Sequence, residues 1–191
     1  MSDVIKFNTE DAVKLDVVKP QITKIYDLVP ENDPILKEVM PEFDFDNPPV
    51  DPTVFASALV ETCKSNKGYG LSANQCGFRH RVFVMGSGDD YVAFFNPKII
   101  SSSGEVHMAE GCLSFPFLGL HITRPAMVNV EYQDFKGVVR TATFSGVSAR
   151  CFLHEYDHLQ GFTFLDKVKP LALQQSLKKR NKLMKLMKKI L

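Results

Sequence analysis

The sequence has no long apolar run. Its longest is Tyr91 to Phe95, five residues, against the roughly 20 that a membrane-spanning helix needs. The first twenty residues contain no Arg and no apolar segment, and they hold Asp3, Glu10, Asp11 and Asp16. That pattern argues against a secretory signal and against an Arg-rich transit peptide. Cysteine is sparse, with Cys63, Cys76, Cys112 and Cys151 in 191 residues. Four are too few for a disulfide scaffold and read as reduced thiols or metal ligands. No internal repeat or low-complexity block precedes the tail. The expectation is a cytoplasmic protein without a transmembrane segment.

Net charge is also nearly absent, with 23 Lys+Arg against 22 Asp+Glu, or +1. Residues 171–191 contain no Asp or Glu but seven basic residues: Lys178, Lys179, Arg180, Lys182, Lys185, Lys188 and Lys189. Residues 1–170 therefore carry −6. An acidic body excludes a uniformly basic nucleic-acid binder, and no DNA contact is expected. In the tail, Leu173, Leu177, Met184, Met187 and Leu191 share one helical face, flanked by Leu183, Leu186 and Ile190. The lysines take the other face, which makes an amphipathic basic helix. It could pack on the acidic body or lie on a membrane surface.

What is present is an ordinary globular mix, 45% hydrophobic and 24% charged, sized for one domain with appendages. Six of the eleven prolines fall before residue 50, so this quarter reads as extended segments wrapping a core. Asp51-Pro52 starts a helix over about 52–65, with Asp as cap, Pro at the first helical position and an apolar stripe at Phe55, Leu59, Val60 and Cys63. Residues 68–77 read as a loop with three glycines. Strands are expected over 81–85, 91–95, about 104–109, 126–132 and 138–144, the last two joined as a hairpin. Ser145 or Ser148 can cap the next helix, and Gly161 can end it. The fold class is α+β: short, mostly antiparallel strands around one central metal-binding helix, with a C-terminal amphipathic helix.

That central helix carries His154-Glu155-Tyr156-Asp157-His158. Positions i and i+4 lie on one helical face, so both imidazoles can reach one metal ion. A Glu after the first His can hold a water on that ion, whose pKa falls to roughly 7. Two histidines are incomplete, because a catalytic tetrahedral metal usually has three protein ligands. Gly161 fits the longer H-E-x-x-H-x-x-G-x-x-H pattern, but Phe164 stands where its last His belongs. No Glu follows Glu155, and Asp166 is the only downstream carboxylate beyond the motif. The third ligand is therefore expected upstream: Cys112, Cys63, Cys76, Cys151, His80, His107, His121 or an acid. Cys112, in Glu110-Gly111-Cys112-Leu113-Ser114, is preferred, with Gly111 allowing tight backbone geometry beside a bulky centre.

Three segments then line up with one family. Gly68-Tyr69-Gly70-Leu71-Ser72-Ala73-Asn74-Gln75 resembles the G-φ-G-φ-A-A-x-Q motif of peptide deformylases, where φ is apolar. Glu110 to Ser114 resembles their E-G-C-φ-S, and His154 to Gly161 their H-E-φ-D-H with its continuation. Asp33-Pro34-Ile35-Leu36 is similar to the family's opening strand. The resemblance covers roughly residues 30–168. It implies a catalytic domain over 1–170, with 1–30 as an N-terminal extension of no assigned function and 171–191 as the basic helix.

The resemblance implies one divalent metal, Fe(II) in the usual active form and Zn or Ni in purified protein, held by Cys112, His154, His158 and a water. It implies hydrolysis of the formyl group from N-terminal formyl-methionine of nascent peptides, by a monomer. Glu155 would take the water proton and pass it to the leaving amine. The Gln75 amide and the Leu113 N–H would stabilise the oxyanion. Gly68, Tyr69 and Gly70 would run beside the substrate as an extended edge. Tyr69, Leu113, Cys151 and His154 would wall a methionine pocket, and Glu110 would hydrogen-bond near the metal loop. The tail gains a third reading, contact with ribosomal RNA near emerging chains.

The sequence also departs from the family. Ser72 replaces the commoner Ala and is expected to be harmless. Leu153 stands where many members have Gln. Phe115, Phe117 and Leu118 make the stretch after E-G-C-L-S unusually apolar. Two other functions compete: a metallopeptidase using His154, His158 and an acid such as Asp166, and a non-catalytic RNA-binding protein built around the tail.

Overall fold

The structure, a computed structural model, describes residues 24–187. Expectations for residues 1–23 and for Lys188 to Leu191 lie outside them. No helix among the described residues is long and apolar enough to cross a membrane.

The core is a five-stranded antiparallel sheet with one helix on each face. Its strands are β1 (Gly70–Ser72), β2 (Val82–Ser87), β3 (Asp90–Ser103), β6 (Met127–Gln133) and β7 (Val139–Ser145), paired in that spatial order. Alternation decides what each face buries. Phe83, Met85, Val92 and Phe94 point to one side, with Phe152 and Leu153 of helix α2 (Gly146–Leu159). Val82, Val84, Tyr91, Ala93 and Phe95 point to the other, with Phe55, Leu59, Val60 and Cys63 of helix α1 (Pro52–Ser65). The run Tyr91 to Phe95 is therefore apolar at every position because β3 is covered on both faces.

Helix α1 begins as expected: the Asp51 carboxylate accepts from Val54 N–H at 2.9 Å, with Pro52 in the first turn. Such a cap contributes about 1 kcal/mol. Helix α2 follows Ser145, whose side chain makes no capping bond. It ends before Gly161, which has φ +74°, where any Cβ would sit 2.6 Å from the Lys37 carbonyl oxygen. Only glycine meets both demands. The segment before α1 does wrap the core over its described part: Val29 N–H bonds Gln75 O, and Met40 N–H bonds Leu159 O.

The structure corrects several elements. Residues 34–37 form a 3-10 turn capped by Asp33, not an opening strand, because Pro34 starts the turn and the Asp33 carboxylate takes the Ile35 N–H. The expected loop 68–77 contains β1 and a second turn, Ala73–Cys76. β3 runs to Ser103. β4 (Val106–Glu110) pairs with β5 (Leu120–Arg124), a strand the sequence reading lacked, in a separate ribbon. β5 alternates buried and exposed residues, but five residues beside a Gly- and Pro-containing loop leave little periodic signal.

Helix α3 (Pro170–Met187) starts one residue before the expected boundary. Leu173 and Leu177 pack against a third cluster of Phe115, Leu118, Leu120, Ile122 and Phe164. Arg180 is buried, donating to Pro116 O at 2.9 Å and pairing with Glu31. The packed reading of the tail therefore applies to its first three turns. Leu183 and Leu186 further along are exposed.

Candidate metal centre and cavity

His154 and His158 project from one face of α2, their rings 5.2 Å apart. Cys112 arrives from the loop after β4. Its Sγ lies 3.3 Å from His158 Nε2. One donor atom each from Cys112, His154 and His158 lies within 4.8 Å of the others, the sole such His/Cys/Asp/Glu group among the described residues. One thiolate and two imidazoles that close together suit a single Fe or Zn ion. Cys63, Cys76, Cys151, His80, His107 and His121 stay outside this group. So does Asp166, whose carboxylate is engaged by Lys37 Nζ at 2.6 Å and by Thr163.

Glu110, the last residue of β4, orients the centre. Its Oε2 lies 2.9 Å from His154 Nδ1, which leaves Nε2 for the metal. The same carboxylate accepts from Arg124 Nε at 2.6 Å, Arg124 Nη2 at 3.0 Å and Arg150 Nη1 at 2.6 Å. Arg124 also pairs with Asp157 inside the H-E-x-x-H motif. Burial pushes the Glu110 carboxyl up, but the His154 and Arg124 contacts outweigh it and hold it well below its ordinary range. Burial lowers His158, so its imidazole stays neutral and able to ligate. Burial would lower His154 too, yet Cys112 and Glu110 raise it to about 10 in the metal-free chain. Loading a metal must then release that proton.

Arg124 and Arg150 were missed in the sequence reading. Arg124 carried no local signal, since its partner lies across the β4–β5 ribbon. Arg150 did carry one: 150, 154 and 158 are spaced by four and share the inner face of α2.

Gln75 is held from both ends of its amide. Its Oε1 accepts from Ser72 N–H at 2.9 Å, which turns Nε2 toward Ser114 Oγ at 3.0 Å and Cys112 Sγ at 3.5 Å. Glu155 is buried, and burial raises its carboxyl above the ordinary value. Ser72, expected to be harmless, donates its hydroxyl to Glu155 Oε2 at 2.7 Å.

These groups floor a cavity of about 530 Å³. Ten of the twelve expected site residues line it: Gly68, Tyr69, Gly70, Glu110, Gly111, Cys112, Leu113, Cys151, His154 and Glu155. Gln75 and His158 lie behind Cys112. The glycines have a reason the sequence did not supply. A Cβ at Gly70 would meet Glu155 Oε1 at 2.6 Å and Cys151 Sγ at 2.8 Å, and one at Gly68 would meet Leu113 Cδ1 at 2.8 Å. They let β1 approach α2 and the Cys112 loop. Burial keeps the Cys151 thiol protonated, so it offers the cavity an apolar surface.

Comparison with known proteins places the chain in a family. The polypeptide deformylase family model matches residues 25–174. A peptide deformylase of Thermotoga petrophila is 39% identical over 140 residues, covering 72% of this chain and 84% of its own. Solved peptide deformylases superpose closely. That of Thermus thermophilus has TM-score 0.76 and 31% identity over 86% of this chain and 98% of its own. That of Acinetobacter baumannii with Met-Ala-Ser bound has TM-score 0.72 and 25% identity over 77% and 100%. On the family match and these likenesses together, the chain belongs to the polypeptide deformylase family of enzymes.

Proposed function

We propose that this chain hydrolyses the formyl group from N-terminal formyl-methionine, using one divalent metal ion held by Cys112, His154 and His158, with Fe(II) as the working ion. Family membership supports removal of N-terminal formyl groups from nascent peptides; the residue roles rest on the site. The carrying observation is the close Cys–His–His donor group with Glu155 beside it on the cavity floor. When bound, the ion supplies a polarised formyl oxygen and hydroxide near neutral pH.

The remaining work falls to the chain's own groups. Glu155 accepts the water proton and returns it to the departing amine. Gln75 Nε2, already aimed past Cys112, and the Leu113 N–H next to it donate to the developing oxyanion. Removing one such donor costs about 3 kcal/mol of barrier. β1 is the sheet's edge strand, so its unpaired side can add a substrate strand without regard to sequence. Gly68 contributes less to that pairing than expected, since its N–H bonds Cys63 O and its carbonyl accepts from Tyr91 OH. The methionine side chain would sit among Tyr69, Leu113, Cys151 and His154. The lysine-rich distal turns of α3 are the part left for an RNA contact.

The test is formate release from formyl-Met-Ala-Ser alongside internal cleavage of an unformylated peptide, with metal analysis of anaerobically purified protein. Formate release that disappears with the metal in Cys112→Ala is expected. Metal present with no formate released would overturn the reading, and internal cleavage instead would favour a peptidase.

A further inference from the structure

Strand β1 has three residues, and its period of two sends Gly70 and Ser72 to the same face while Leu71 enters the α1-side core. That face meets Glu155. A Cβ at Gly70 would come within 2.6 Å of Oε1, so glycine leaves that oxygen its room, and the Ser72 hydroxyl bonds Oε2 at 2.7 Å. The Glu155 carbonyl is a second acceptor for the same hydroxyl at 3.1 Å, but one O–H has one proton, and the shorter contact to a carboxylate is the stronger. Among the described residues, Ser72 supplies the only side-chain hydrogen bond to the Glu155 carboxylate. Both groups are buried, so water does not substitute freely for it.

We propose that Ser72 is a positioning residue for Glu155: its hydroxyl locks the carboxylate rotamer and occupies Oε2, leaving Oε1 as the oxygen that takes and delivers the proton. The inference rests on the proton-carrying role proposed for Glu155. It goes beyond the motif likeness, in which Ala is commoner at this position and offers no such bond. Alanine differs from serine there only by the missing Oγ, so the variant keeps the packing of β1.

The experiment compares wild type, Ser72→Ala, Glu155→Gln and the double variant in formate release from formyl-Met-Ala-Ser. Metal stoichiometry, the visible spectrum of the Co(II)-loaded proteins and the crystal structure of metal-free Ser72→Ala are measured beside it. Ser72→Ala should lower kcat about tenfold, the size of one hydrogen bond to a charged group, with KM within about twofold. The Co(II) spectrum should be unchanged, and Glu155 should occupy more than one rotamer. In the Glu155→Gln background, Ser72→Ala should add nothing to the loss. Full kcat in Ser72→Ala while Glu155→Gln is inactive would overturn this inference alone. So would a loss that follows metal content or an altered Co(II) spectrum. Full activity in Glu155→Gln would overturn the proton-carrying role and this inference with it.

Discussion

Glu110→Gln changes one buried atom and tests how the centre is held. The Glu110 carboxylate accepts four contacts: two from Arg124, one from Arg150 and one from His154. An amide of the same shape keeps one oxygen. Placed at the Oε1 side, that oxygen retains Arg124 Nε and Arg150 Nη1. The new NH2 then faces Arg124 Nη2, a donor, and His154 Nδ1. One charge-assisted bond is lost, a donor–donor contact appears, and two guanidiniums lose their shared counter-charge. Arg124 still has the Asp157 carboxylate, but Arg150 is left with neutral acceptors, the retained amide oxygen and the carbonyls of Ile122 and Val106. Removing one partner from a buried ion pair costs about 3–5 kcal/mol. The retained oxygen places this change near the lower figure, about 3 kcal/mol.

At about 2–4 °C per kcal/mol for a chain of this size, the melting temperature of the metal-free protein should fall by about 6–12 °C. A second effect is independent of stability. An NH2 facing Nδ1 favours the tautomer with the proton on Nε2, the atom needed for the metal, so affinity should fall about 10–100-fold. Thermal unfolding by circular dichroism and competitive chelation of Zn(II) read the two separately. A fall under about 2 °C with an unchanged chelation midpoint would refute the argument that Glu110 both neutralises the arginines and sets the His154 tautomer.

Three shorter predictions rest on the same geometry. Gly70→Ala places a methyl 2.6 Å from Glu155 Oε1; formate release should drop at least about tenfold, the size of one displaced polar contact, with metal still bound. Arg180→Ala removes the bonds to Pro116 and Glu31; a loss of about 1–3 kcal/mol should lower the melting temperature by about 2–12 °C, and an unchanged value would detach α3 from the fold's stability. Because the folded Glu110 carboxyl is held below its unfolded value of 4.5, its stabilisation is complete above that pH and is lost as pH falls through the folded value. Melting of the metal-free protein should therefore fall more steeply below pH 4.5 in wild type than in Glu110→Gln.

What the sequence shows of this fold depends on how local each cause is. The Asp51-Pro52 cap, the α2 periodicity and the Gly161 stop act within one turn, and all three stand in the structure where the residues imply them. β1 and β5 do not show, because three or five residues carry too little alternation and their pairing is decided by distant partners. Pro34 followed by apolar residues reads equally as strand or turn until the Asp33 side chain takes the Ile35 N–H. The donor group divides the same way. His154 and His158 are legible from i, i+4 spacing, whereas no local pattern places Cys112 beside them or Arg124 beneath them.

Ser72 shows why a motif's tolerated position is hard to judge from the chain alone. Its size suits β1, and on size alone it is interchangeable with alanine. Its significance comes from Glu155, 83 residues away, which reaches it because Gly70 has no side chain and lets the edge strand close on α2. Gly70 and the Ser72 hydroxyl are thus parts of one arrangement. Glycine removes the bulk that would displace the carboxylate, and serine supplies the bond that fixes it once it is close. Separately, each reads as a small residue in a loop. Together, on alternate positions of a three-residue strand, Gly70 and Ser72 set the distance and the orientation of the Glu155 carboxylate.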